Sequence, residues 1–279
     1  MPGILYIVST PIGNLEDITL RALRVLKEVD CIAAEDTRHT RKLLSHFGIS
    51  RPLVSYWGAK EKVKAEEVLE MLREGRDVAL VTDAGTPGIS DPGAVVIERA
   101  IEEEIPVIPV PGPSALIAAL SVSGLPTREF LFVGFLQPKR SQRIKRLEKL
   151  SREQRTMILY ESPHRLLDTL DDMLEVLGDR RVAVSHELTK FNESVHRGSL
   201  SEVIEEIEGG VIAGEYVIVI EGKTEESPDM EGALMEVEEM VGQGVRRKEA
   251  VRKVAEEYGL RKKELYDLSI GKGGEKSET

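Results

Sequence analysis

The chain has 279 residues, 41% of them apolar, 31% charged and 4% aromatic, the balance of a soluble globular protein large enough for two cores. Its net charge of −11 excludes binding of nucleic acid over the whole surface, although a local basic face stays open, and so few aromatics exclude rows of base-stacking rings. The single Cys31 excludes an internal disulfide, and the sequence shows no signal peptide in residues 1–30 and no apolar run of membrane-spanning length; the expected location is cytoplasmic, with no membrane partner.

Residues 4–9 form a short apolar run, broken by Thr10-Pro11-Ile12-Gly13-Asn14. Leu20, Leu23, Leu26 and Val29 then recur at helical spacing, from a helix starting near Asp17. Residues 31–34 read as a buried strand, followed by Glu35-Asp36-Thr37-Arg38 and a helix to about residue 47. A third strand at 53–56 and a polar helix to residue 74 precede the strand 78–81. That strand runs into a loop dense in Gly, Pro, Thr, Ser and Asp, residues 81–93, and a helix follows over 95–103. The strand 107–110 ends in Pro111-Gly112-Pro113-Ser114, with Ser114 as N-cap of a helix to residue 120. Strands alternating with helices make a mostly parallel sheet with right-handed crossovers. Ser9, Glu35, Asp83 and Pro111 would share one sheet edge.

Residues 123–127 break the chain before the apolar strand 130–135. Eight basic residues lie in 139–155, against Glu148 and Glu153. The strand 156–160 ends in Glu161-Ser162-Pro163-His164-Arg165, and a helix over 166–177 stops at Gly178. The strand 182–185 leads to His186-Glu187-Leu188-Thr189-Lys190. The strand 195–199 follows too soon for a helical crossover, so the second sheet is mixed. A helix over 200–207 and a strand over 216–220 complete it. Residues 224–240 hold seven acidic and no basic residues, a solvated linker into a helix. The tail then turns basic (Arg246, Arg247, Lys248, Arg252, Lys253, Arg261, Lys262, Lys263), and Gly259 marks a turn between two helices. Residues 271–279 read as a disordered end. The fold class is α/β in three parts: an N-terminal α/β domain over 1–122, a C-terminal one over 123–223, and an acidic linker with a basic helical tail over 224–279.

The 81–93 loop organises the chemistry. Loops at the carboxyl edge of an open α/β sheet are where ligands bind. Gly85, Gly88 and Gly93 permit close backbone approach, and Pro87 and Pro92 stiffen the loop. There is no P-loop and no G-x-G-x-x-G turn. No two of the five His stand at metal-ligand spacing, so no metal site is expected; His164 and His186 read as satisfied polar residues at strand ends. Ser9 and Ser114 show no nucleophile–base–acid arrangement. What remains is a cleft of glycine backbone, the hydroxyls of Thr82, Thr86, Ser90 and Ser114, the carboxylates of Asp83, Asp91 and Glu161, and apolar Ile89, Ala115, Phe132 and Phe135. That mixture suits a nucleoside-like ligand carrying positive charge.

At these residues the chain resembles the tetrapyrrole methylase superfamily of S-adenosylmethionine-dependent enzymes, and within it the family of ribosomal RNA small subunit methyltransferase I. The matching segments are residues 6–15, 34–38, 82–93, 110–115, 132–136 and 160–165, then Glu187 to Lys190 with Glu193, and 214–217. They span about residues 4–222 in order, and Tyr266 after the basic tail looks like the family's C-terminal helical module; Gln137-Pro138 departs from the expected Pro-rich turn. The resemblance implies two α/β domains with the cofactor, S-adenosyl-L-methionine, in the cleft between them, a homodimer, and 2′-O-methylation of a cytidine ribose in 16S rRNA of the small ribosomal subunit. It implies cofactor contacts from Pro11, Asp83, Gly85, Thr86, Pro87, Ile89, Asp91, Ser114, Ala115, Phe132, Gly134, Phe135, Gly214 and Tyr216.

A ribose hydroxyl is a poor nucleophile and calls for a general base. Glu161 and Glu187 are the candidates, with Lys190 or Arg38 orienting substrate or stabilising a developing oxyanion. Against each stands the reading of a structural ion pair. RNA phosphates would be met by Lys139, Arg140, Arg143 and Arg146 of the basic helix, and by the tail; a solvated helix face is the alternative. Two other functions remain open. One is a methyltransferase of the same fold acting on a corrin-type molecule or diphthine, which needs no basic helix. The other is a non-enzymatic RNA-binding protein of ribosome assembly, which leaves the polar cleft without a purpose.

Overall fold

The computed structural model describes residues 1–56, 61–224 and 230–271. The expected disorder over 272–279, and part of the acidic linker, lie outside the described residues. Contacts divide the chain into two compact units, residues 1–222 and 223–279.

Unit one opens with five strands: β1 (Leu5–Val8), β2 (Cys31–Ala34), β3 (Leu53–Ser55), β4 (Val78–Val81) and β5 (Val107–Val110). All pair in parallel, in the order β3-β2-β4-β1-β5. The helices between them are α1 (Leu20–Glu28), α2 (Thr37–His46), α3 (Glu61–Arg73) and α4 (Ala94–Glu102). Both sheet faces are covered, which is why the central strands read as unbroken apolar runs. Leu5, Val78 and Leu80 pack with Leu69 and Leu72 of α3 and Val96 of α4. Val8, Ile32, Ala79 and Val81 pack with Val25 and Leu26 of α1 and Leu44 of α2. Helix α1 starts three residues later than the periodicity suggests, because Thr19 takes the N-cap and accepts from the Ala22 N–H. The preceding Leu15–Asp17 is a 3₁₀ turn capped by Asn14. The parallel arrangement puts Ser9, Glu35, Thr82 and Pro111, each following a strand end, at one sheet edge.

The second sheet holds β6 (Phe130–Phe135), β7 (Thr156–Glu161), β8 (Arg181–His186), β9 (Ser194–Ser199) and β10 (Tyr216–Ile220), in the order β6-β7-β10-β8-β9. Only β6 and β7 run parallel; the other three pairings are antiparallel, so the sheet is mixed. A helix α5 (Ala115–Val122) links the two sheets, and helices α6 (Arg140–Leu150), α7 (Leu166–Leu177) and α8 (Leu200–Glu208) cover one face of the second. Helix α8 carries a capping box between Ser199 and Glu202. The other face, Ile158, Ala183, Val217 and Val219, packs on Leu116, Ala119 and Leu120 of α5. Helix α5 follows the last strand of the first sheet yet belongs to the core of the second. That packing brings the loop edge of one sheet against the face of the other.

Unit two contains α9 (Met230–Gly242), α10 (Arg247–Glu257) and α11 (Lys262–Ser269) around Ala233, Val237, Val251, Val254 and Leu265. Gly259 takes φ +64° in the turn between α10 and α11. Arg247 is tied within this unit, to Glu238 and to the Ser269 carbonyl. No helix among the described residues is long and apolar enough to cross a membrane.

Candidate functional site

The β1 and β4 loops clasp each other. The Thr10 N–H donates to the Gly85 carbonyl (2.9 Å) and the Gly85 N–H returns the bond (3.1 Å). The Ser9 and Thr86 hydroxyls lie 2.8 Å apart, and the Thr10 hydroxyl donates to the Thr82 carbonyl. Gly85 and Gly88 sit at φ +84° and +81°, a backbone shape closed to most side chains. The β2 and β4 loops are stitched by carboxylates: the Asp83 N–H donates to Glu35 (3.2 Å) and the Asp36 N–H to Asp83 (3.1 Å).

Beside this clasp lies a cleft of about 370 Å³. Its first wall is Ile12, Gly85, Thr86, Ile89, Ser90, Asp91, Ser114 and Ala115; its second is Phe135, Tyr160, Glu161, Leu188, Gly214, Glu215, Tyr216 and Val217. Of the cofactor contacts expected from sequence, Gly85, Thr86, Ile89, Asp91, Ser114, Ala115, Phe135, Gly214 and Tyr216 line it. Pro11, Asp83, Pro87, Phe132 and Gly134 do not. Asp83 commits its carboxylate to the β2 loop. Phe132 packs edge-to-face on Tyr160 with ring centres 5.1 Å apart. Gly134, at φ +71°, follows a register shift between β6 and β7 that sets Phe135 at the rim. Ser114 holds the N-cap position of α5 as expected, without a side-chain cap bond.

Asp91 is the unusual charge. Burial pushes its carboxyl up to about 6, and the like charges of Glu35 and Asp83 add to the rise. No cation bridges it among the described residues. Burial likewise raises Glu35, against the Asp83 N–H that bonds it. Tyr160 is pushed up to about 12 by burial, opposed by a bond with the Leu116 backbone and helped by the Asp91 charge. No group of three or more His, Cys, Asp or Glu among the described residues is placed to hold a metal ion.

The four catalytic candidates separate sharply. Glu161 is fully engaged: one oxygen accepts from the Ser162 N–H (2.8 Å) and hydroxyl (3.2 Å) and pairs with Arg165 (2.6 Å). Its other oxygen accepts from the Thr169 hydroxyl (2.8 Å). A carboxylate whose two oxygens are both engaged in this way reads as the pin of the 161–165 turn. Glu187 has one committed oxygen: Oε1 accepts from Lys190 Nζ (2.7 Å) and the Glu215 N–H (2.9 Å). Burial pushes its carboxyl up, but those two donors prevail and hold it below the usual range. Lys190 Nζ reaches Glu215 as well (3.0 Å); burial pushes the ammonium down, and its two carboxylate partners outweigh that and raise it. Gly214, at φ +75°, has no room for a Cβ, which would stand 2.4 Å from Glu187 Oε1. Arg38 is exposed and chelates Asp36, the N-cap of its own helix.

The basic helix needs correction. Arg143 is buried, with its Nε 2.6 Å from the buried Asp172 carboxylate. Arg140 also pairs with Asp172 (2.8 Å) and with Glu175 (2.6 Å). Arg143 is closed to a phosphate, because the α6–α7 packing buries it and uses its charge, whereas Arg140 serves the same packing and stays largely exposed. Lys139, Lys145, Arg146 and Lys149 are exposed and lie outside this packing. The spacing of Arg143 with Leu147 and Leu150 puts it on that stripe of α6, a signal the charge run masks. Sequence pattern also misses Ile12, Tyr160, Leu188 and Glu215 as cleft walls. Each lies beside a motif residue, at a strand end or in a strand-end loop.

The family profile described as Tetrapyrrole (Corrin/Porphyrin) Methylases matches residues 4–204. A protein of Halalkalibacterium halodurans named Ribosomal RNA small subunit methyltransferase I is 47% identical over 272 residues, covering 95% of this chain and 94% of its own. A Thermotoga maritima protein of the same name is 49% identical over 221 residues, which cover 79% of this chain and 99% of that one. The crystal structure of uroporphyrin-III C-methyltransferase from Thermus thermophilus, complexed with S-adenosyl homocysteine, is similar with a TM-score of 0.55 and 22% identity, over 78% of this chain and 97% of that one.

Proposed function

We propose, for a chain that belongs to the tetrapyrrole methylase family and within it to the ribosomal RNA small subunit methyltransferase I proteins, transfer of a methyl group from S-adenosylmethionine to a cytidine ribose 2′-oxygen in 16S rRNA. The observation that carries the cofactor reading is Asp91, a half-buried carboxylate with no cationic partner among the described residues, in a cleft with partly apolar walls. Such a group fits a ligand that brings its own positive charge. Ile12, Ile89, Leu188 and Val217 offer an apolar bed for a flat base. Ser114 and Ala115 line the cleft at the start of α5, where a helix N-terminus would favour a carboxylate. Bound there, S-adenosylmethionine would supply a methyl group on a cationic sulfur.

Methyl transfer to oxygen is an in-line displacement, so the chain's main task is alignment of the acceptor hydroxyl. The rigid Glu187–Lys190–Glu215 network beside Gly214 suits that task. Glu187 keeps Oε2 for the hydroxyl proton, and the Lys190 ammonium steadies the charge that develops on the oxygen. Glu161 holds the adjoining wall in place. Lys145, Arg146 and Lys149 of α6, left out of the Asp172 pairing, favour an RNA acceptor over a corrin, which has no need of them.

The test uses purified protein, methyl-labelled S-adenosylmethionine and small ribosomal subunits from a strain lacking the modification. Label on one ribose of 16S rRNA, mapped by mass spectrometry, is the expected result. Cofactor binding without RNA labelling would overturn the acceptor assignment.

A further inference from the structure

The loop joining β8 to β9, residues 187–193, carries an exposed aromatic ring on a firmly fixed frame. The Lys190 N–H donates to the Glu187 carbonyl (3.0 Å), and the Glu193 N–H to the Lys190 carbonyl (3.1 Å), two turns in succession. The Thr189 N–H donates to the Glu193 carboxylate. The Glu187 N–H donates to the Glu215 carbonyl (3.0 Å), which ties the loop to the cleft wall. Glu187 and Thr189 take φ +49° and +67°, a region that non-glycine residues occupy at a cost. The buried Thr189 hydroxyl has no hydrogen-bond partner. A Cβ on Gly13 would stand 2.5 Å from the Lys190 side chain and 2.9 Å from the Thr189 hydroxyl, so the β1 loop buttresses this one directly. Strain of this sort persists where the surroundings over-determine a shape that function uses.

What this frame presents is Phe191, at 103% of full exposure. Among the described residues only the Met1 side chain is a more exposed large apolar group. Leu188, three residues before it, lines the cleft. The charges of the loop and of the wall it is tied to are Glu187, Glu193 and Glu215 against Lys190, a poor grip for phosphate. A ligand touching this loop would therefore meet it through a ring face.

We propose that Phe191 is a stacking platform for an RNA base beside the ribose that enters the cleft. The inference rests on the RNA reading above. A 2′-hydroxyl can reach a cleft of this kind only if its nucleotide is splayed from its neighbours, and splayed bases are held on aromatic side chains. Phe191 acts on binding of the acceptor and not on the transfer step.

The experiment compares wild type with Phe191→Ala, Phe191→Leu and Phe191→Tyr, using unmodified small subunits and labelled S-adenosylmethionine. Loss of the ring should raise the KM for subunits by about tenfold to a hundredfold, the range that stacking supplies per base. The turnover number should stay within about twofold, and cofactor affinity by calorimetry and sedimentation of the free protein should not change. Phe191→Tyr should restore the wild-type KM, and Phe191→Leu, with similar bulk and no ring, should not. An unchanged KM in Phe191→Ala, or rescue by Leu, overturns the stacking role. A changed sedimentation coefficient overturns it in favour of contact with a second copy of the chain. If wild type labels no RNA while Phe191→Ala and wild type bind cofactor alike, the RNA reading itself fails and this inference falls with it.

Discussion

Two aspartates in the same compact unit, both drawn away from water, carry charge for opposite ends. Asp172, between α6 and α7, is surrounded by Arg143 and Arg140 at 2.6 and 2.8 Å. Asp91, in the cleft, feels the like charges of Glu35 and Asp83 and has no ion-pair partner among the described residues. The first is neutralised inside the fold and serves as scaffold. The second is not neutralised by any described residue, and the proposed function gives it a cationic ligand as partner. A buried charge with its counter-ion built in tells of packing, whereas one without it tells of binding.

The largest effect comes from opening the closed side. Arg143→Met should destabilise the protein by about 3–5 kcal/mol, since it strands Asp172 in the core; urea denaturation measures it. Cost near zero would mean that Arg140 alone satisfies the aspartate. Glu161→Gln comes next. It breaks the pairing with Arg165 and should cost about 1–3 kcal/mol of stability, while the folded fraction keeps near-normal turnover. A collapse of turnover with cofactor affinity intact would return Glu161 to the role of base.

Asp91→Asn tests the open side with the opposite sign. The folded-state value of about 6 lies above the ordinary aspartate value of 3.8, so the ionised group costs stability above about pH 6. That cost fades as pH falls through about 6 toward about 4. The variant should therefore stabilise the free protein at pH 7, by about 1 kcal/mol after allowing for solvent screening of a half-exposed group. It should also weaken S-adenosylmethionine binding in calorimetry. In wild type, affinity should drop as pH is lowered through about 6, because a cation favours the ionised carboxylate. A flat pH profile would remove Asp91 from contact with the positive charge. The smallest effect on stability belongs to Arg146→Ala on α6, within about 0.5 kcal/mol of wild type. It should nonetheless reduce the salt dependence of subunit binding, and an unchanged slope would take α6 out of the RNA interface.

Much of the fold and part of the site are legible in the chain itself. The apolar runs at 31–34 and 78–81 announce strands buried on both faces, and the Gly- and Pro-rich loop after the second announces the ligand edge. Gly85, Thr86, Ile89 and Asp91 can be grouped because they are neighbours in sequence. Arg143 misleads because a run of positive charge looks like a surface, and its partner is 29 residues away on another helix. The saturation of Glu161 is equally hidden, since Thr169 and Arg165 reach it only once α7 folds back over the strand end.

Local periodicity and turn chemistry are enough to set the order and type of the elements, the edge at which the loops gather and the family to which the motifs point. Which charges are neutralised is a matter of packing alone. The assembled fold places α5 on the second sheet, closes Arg143 onto Asp172, and gives Asp91 no cation among the described residues. The pairing of charges depends on distances between residues far apart in the chain, and no local pattern encodes it.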